Sequence, residues 1–167
     1  LGGRFREVSA GFDRGACTVA ADCGSDGYCR VEGTGAGVCR PYIPALVSPY
    51  VVDLYNSGLR RAYRLPKINP DALGGITFEI AFGGSSFRRS PVDPIPERVR
   101  IVGVSRWAIP LGLTLPLGEV ERINRSLLGA EAARGAHAAI LKLVSDSVAP
   151  DVVAAVKSAG LDVSDRE

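Results

Sequence analysis

All four cysteines of the chain, Cys17, Cys23, Cys29 and Cys39, fall in one short stretch, ACTVAADCGSDGYCRVEGTGAGVCR. Sulfur atoms held so close in sequence form a metal site, a redox centre or disulfides, and the choice fixes the compartment in which the chain can fold. The spacing C-x5-C-x5-C-x9-C has neither the C-x2-C knuckles of a zinc ribbon nor the C-x-x-C of a thiol oxidoreductase, and no histidine lies nearby. An even count set among Gly, Ser and Asp, with few large aliphatics, is the pattern of a disulfide framework, and such frameworks persist outside the cytoplasm. Three pairings are open. First-to-third with second-to-fourth is preferred, because interleaved loops restrict a short segment most.

The remaining sequence has enough apolar residues to fold without that framework. A chain of 167 residues, 46% of them hydrophobic and 23% charged, makes one domain or two small lobes sharing a core. It should bury about two-thirds of its unfolded surface. A net charge of +2, from 20 basic and 18 acidic residues, lacks the concentrated basic excess of a nucleic-acid binder, so no nucleic acid is expected as partner. The most apolar run, AIPLGLTLPL, is interrupted by Pro110, Gly112 and Pro116 and falls short of the roughly 18 to 20 residues of a membrane-spanning helix. The segment therefore reads as soluble. Because it begins at Leu1 and contains no methionine, it is expected to be cut from a longer protein.

Periodicity divides the chain into a Cys-rich loop segment, 1–43, and an α+β core, 44–167. Ser48 and Pro49 offer an N-cap and a first helical residue for a helix from about Pro49 to Tyr63, stopped by Pro66. GGITFEIAFGG alternates Ile76, Phe78 and Ile80 against Thr77, Glu79 and Ala81, and RVRIVGVS sets Val99 and Ile101 on one face; the two predict an antiparallel pair joined by a long, proline-stiffened connection. LTLPL is expected as a short strand, LGEVERINRSLL as an amphipathic helix ending at Gly129, HAAILKLVSD as a strand, APDVVAAVKSAG as a helix and LDVSD as a last strand. The sum is an α+β fold, a mixed sheet with helices packed on one face and a βαβ-like C-terminal half.

Chemistry is sparse. His137 is the sole histidine, no G-x-S-x-G elbow accompanies it, and it is read as a structural or surface residue. GGSS at Gly83–Ser86 lacks the lysine of a phosphate loop and leads into prolines, so it is read as a turn, and a hydrolase built on it and His137 is set aside. Asp53, Glu79, Glu119 and Glu121 are scattered and read as solvated charges. No catalytic residue, cofactor-binding residue or metal ligand is assigned, and the chain is expected not to be an enzyme. Trp107, in RWAIPLG, is carried as a candidate partner contact, with a buried ring closing the sheet as its other reading.

From about Pro44 onward, PALVSPYVVDLYN, RLPKIN, ITFEIAFGGSSF, RVRIVGVSRWAIPLGLTLPLGEVERIN and VVAAVKSAGLDV resemble the extracytoplasmic domain of FtsX/MacB-type ABC transporter permeases, the family that includes LolC and LolE. A V-G-V-S turn at Val102–Ser105 followed by Leu115, Pro116 and Leu117 before a helix carries the likeness most directly. The Cys-rich segment stands outside it. The resemblance implies a domain on the periplasmic face of the bacterial inner membrane, between the first two membrane helices of a permease. The partners it implies are a second permease subunit and a cytoplasmic ABC ATPase, which binds the ATP, so that the domain itself needs no cofactor. It also implies a protein or lipoprotein partner in the periplasm or outer membrane, and a function lying in movement, not reaction. The alternative is a secreted or periplasmic binding module whose stapled loop makes the contact.

Overall fold

Short strands are what a Gly-rich segment with few aliphatics can make, and the N-terminal part of the chain makes three of them. In this computed structural model, which describes Phe5, residues 12–31, Gly33 and residues 35–84, 93–131 and 143–163, they are β1 (Ala16–Cys17), β2 (Gly27–Arg30) and β3 (Gly37–Pro41). They form an antiparallel sheet in the order β1-β3-β2. Gly37 is required by contact: a Cβ there would lie 2.5 Å from the Cys29 sulfur and 3.0 Å from the Arg30 carbonyl.

A second sheet forms the core. β4 (Ile43–Val47) runs parallel to β6 (Ile95–Val104), and β5 (Thr77–Phe82) pairs antiparallel to the other edge of β6, giving the order β4-β6-β5. β4 is buried along its whole length, as an apolar run in a central layer should be. β6 alternates, turning Glu97, Val99 and Ile101 inward.

The expected helix at 49–63 is present, as α1 (Pro49–Leu54), a π-helical turn (Tyr55–Leu59) and α2 (Arg60–Tyr63). Asn56 in the π turn is bonded both ways to the backbone of Ile68, donating to its carbonyl and accepting from its N–H at 2.9 and 3.0 Å, which ties the helix to the return loop. α3 (Leu117–Leu128) ends at Gly129 as its sequence predicts. Ile123 of α3 packs with Ile43, Ala45 and Val99, while Val52 of α1 packs with Val47, Leu73 and Ile101. Val99 and Ile101 share one face of β6, so α1 and α3 lie on the same face of a mixed sheet, the α+β arrangement read from the sequence.

Two compact units divide the chain, Leu1–Arg134 and Gly135–Glu167. The expected boundary at 43/44 falls at the start of β4, inside the first unit. In the second, α4 (Ala149–Ser158) forms with Pro150 in its first turn, as expected. One expected strand does not form, and of LDVSD only Leu161–Val163 is described. LTLPL makes a single antiparallel bridge, Thr114 with Leu46, because Pro116 has no N–H to extend a ladder and α3 begins at the next residue. Leu161–Val163 pairs with no strand among the described residues. Most of the strand expected at HAAILKLVSD lies outside the described residues, and with it His137. No helix among the described residues is long and apolar enough to cross a membrane.

Candidate functional site

The four cysteines close two interleaved disulfides, Cys17–Cys29 and Cys23–Cys39, the pairing preferred from the sequence. The sulfurs of Cys17, Cys23 and Cys39 lie within 4.8 Å of one another, close enough for a metal site. A disulfide sulfur, however, is not the thiolate a metal needs, and no described cysteine is free. Asp22, in the 3-10 turn Ala20–Cys23, accepts from the backbone N–H groups of Thr18 and Val19 and from the Thr18 hydroxyl. Those bonds hold its carboxyl below the usual range.

This stapled module docks on β6 through aromatic rings and arginines. Tyr28 and Tyr42 stack obliquely at 5.3 Å, Arg98 lies 5.1 Å over Tyr28, and Arg100 lies 4.0 Å over Tyr42 while reaching Asp26 at 3.3 Å. Arg30 donates to the Pro96 carbonyl at 3.0 Å. The buried Tyr28 hydroxyl donates to Glu97 at 3.4 Å, and Glu97 in turn pairs with Arg122 at 3.0 Å. Arg122 also holds Glu119 at 3.0 Å, one turn back on α3. Burial first, then the Glu97 carboxylate, pushes the Tyr28 hydroxyl up; burial opposes the charge on Arg122, but Glu119 and Glu97 outweigh it and raise the guanidinium above its usual value. Glu119 is thus no solvated charge: it is 2% exposed and paired. Asp53 and Glu79 are exposed as expected. Glu97 was not among the residues singled out from the sequence, although its i+2 spacing to Val99, which places it on the inward face of β6, was an available signal.

Trp107 is not buried. It is 52% exposed on the loop after β6, with Ile109 at 48% and Leu111 at 64%, and Arg106 lies 5.2 Å over its ring. The ring fails to close the sheet because β6 ends at Val104 and the chain turns at Ser105. Three tertiary ties hold the loop: Ser105 N–H to the Val47 carbonyl, the Ser48 hydroxyl to the Pro110 carbonyl at 2.7 Å, and the paired backbones of Thr114 and Leu46. Ser48, 3% exposed, also caps α1 through the Val51 N–H, so one buried hydroxyl sets both helix and loop. Gly83, the start of the expected turn, has φ +80° and lies against Leu127 of α3; Ser85 and Ser86 lie outside the described residues.

The structure therefore separates the sequence-selected residues into a covalent staple, with Cys17, Cys23 and Cys39 buried and Cys29 partly so, and one exposed contact candidate, Trp107. No family model, no curated protein and no solved structure matches the chain.

Proposed function

We propose that the chain works outside the cytoplasm as a non-catalytic domain of an FtsX/MacB-type permease. It couples ATP hydrolysis by a separate cytoplasmic ATPase to movement or partner engagement beyond the inner membrane. The observation that carries the location is the interleaved disulfide pair, since cytosolic thiol buffers keep such bonds reduced. The permease assignment rests on the resemblance from Pro44 onward, and it gains support from where PALVSPYVVDLYN, ITFEIAF and RVRIVGVSRWAIPLGLTLPLGEVERIN lie: they supply α1, β5, β6 and α3 of one packed core, while VVAAVKSAGLDV belongs to the second unit. Among the described residues, the non-catalytic reading is supported by the ionisable cluster Glu97, Arg122 and Glu119, in which both buried carboxylates are paired with the guanidinium.

Thiol titration of the denatured, unreduced protein tests the location: no thiol should react, and four reactive thiols overturn it. The permease assignment is tested by the gene around this segment. Membrane spans should be encoded immediately before Leu1 and again after Glu167, and their absence removes it. The second reading, a secreted binding module, is favoured by Val19, Val31 and Val38, all exposed on the stapled segment. It predicts one signal peptide and no later span.

A further inference from the structure

We propose that the loop Arg106–Leu111 seats on the surface of an anionic lipid bilayer, with Trp107, Ile109 and Leu111 entering the interfacial layer. This goes beyond the permease reading and does not depend on it.

Entry of a loop into an apolar medium requires that its backbone polar groups be satisfied within the protein, because lipid offers them no partner. Residues 107–110, at the centre of the loop, meet that demand at their donors. The Trp107 N–H donates to the Ser105 hydroxyl, Ala108 N–H to the Ser105 carbonyl and Ile109 N–H to the Thr114 hydroxyl, while Pro110 has no N–H. The Pro110 carbonyl is taken by Ser48. Trp107, Ile109 and Pro110 thus present side chains, Ala108 being buried, on a stretch whose three N–H groups are already engaged. A partner protein that pairs strands or bonds to backbone donors finds none at 107–110, whereas a bilayer asks for none.

Side-chain chemistry points the same way. Tryptophan is the residue enriched at the level of lipid headgroups, and isoleucine and leucine supply the apolar area below it. Arg106, stacked on Trp107, is the loop's single charge, and no Asp or Glu occurs anywhere from Arg98 to Gly118. The complement of such a surface is negative, as the headgroups of phosphatidylglycerol are. Because Ser105, Ile109 and Pro110 are tied to Ser48, Val47 and Thr114, the loop loses little freedom when it docks.

Trp107 is the chain's only tryptophan, so its fluorescence reports the loop and nothing else. The protein is mixed with vesicles of phosphatidylcholine, with or without phosphatidylglycerol. The expected result is cosedimentation with the anionic vesicles, an emission shift to shorter wavelength, and quenching by lipids brominated along the acyl chain. I109S/L111S should weaken binding at least about tenfold, the effect of losing half the burial of two aliphatic side chains. R106Q should weaken binding to anionic vesicles about fivefold and leave the zwitterionic ones unaffected. Three outcomes overturn the proposal: neither vesicle shifting the emission of the unaltered protein, undiminished binding by I109S/L111S, or a concentration-dependent shift without lipid, which assigns the loop to a second copy of the chain. Brominated-lipid quenching of the unaltered protein decides the matter should a variant fold poorly, and no outcome here alters the thiol count that tests the location.

Discussion

Arg122 is the residue on which the buried charge depends. It neutralises two carboxylates, Glu97 at 5% and Glu119 at 2% exposure, with contacts of 3.0 Å to each. Arg122→Ala leaves both without that cation in a poorly solvated site, and the expected loss is about 2–3 kcal/mol in urea unfolding. That figure is held below the cost for a fully buried pair because the Arg122 side chain is itself 35% exposed. Adding Glu97→Gln should recover part of the loss, since it removes one stranded charge and keeps an acceptor for Tyr28; a double variant no more stable than the single refutes this account. Tyr28 adds a pH dependence. Its folded-state pKa is raised above the ordinary 10.0, so the proton is held more tightly in the fold than in the unfolded chain. The associated stability is complete below about pH 10 and is lost as pH rises through the folded value. An absorbance titration of tyrosinate should show one of the five tyrosines lagging, and Tyr28→Phe should abolish the lag.

At the scale of elements, what could be read from the sequence was what local pattern determines. The period of two in TFEIAF, the Ser48-Pro49 start and the Gly129 stop each predicted a boundary that the structure keeps, because strand pleat and helix caps are short-range effects. Glu119 and Trp107 depended instead on what lay across from them. A glutamate in the first turn of a helix looks solvated until Arg122 and the inward face of β6 are known, and a tryptophan in an apolar run looks buried until the strand before it ends. Ser48 shows both halves. Its capping role is written in the local sequence, while its bond to Pro110, 62 residues on, is tertiary. Ser48→Ala should therefore cost about 1–2 kcal/mol, the upper part of the range for a lost cap, and should also raise acrylamide quenching of Trp107 by loosening the loop. Stability lost with no change in quenching would mean that the hydroxyl serves the helix alone.

For the molecule as a whole, the open question after the sequence was whether the staple supports the core or is carried by it. The two clusters that define the core contain Ile43, Ala45, Val47, Val52, Leu73, Val99, Ile101 and Ile123 and no cysteine; Cys17, Cys23 and Cys39 form a separate cluster with Phe12 and Cys29 beside them. The module meets the core through the Arg30 bond to Pro96, through Tyr28 and Tyr42 under Arg98 and Arg100, and through the Tyr28 hydroxyl on the inward-facing Glu97. Reduction removes two loop constraints, each worth about 2–4 kcal/mol, from a segment with little apolar burial to replace them. Its three short strands should lose their hydrogen-exchange protection together. β4, β6 and α3 are held by side chains that do not touch the sulfurs, so their amides should stay protected in the same sample. Exchange followed by mass spectrometry, with and without reductant, separates the two cases: if β6 loses protection along with β2 and β3, the staple is part of the core's own stability and not an attachment that the core carries.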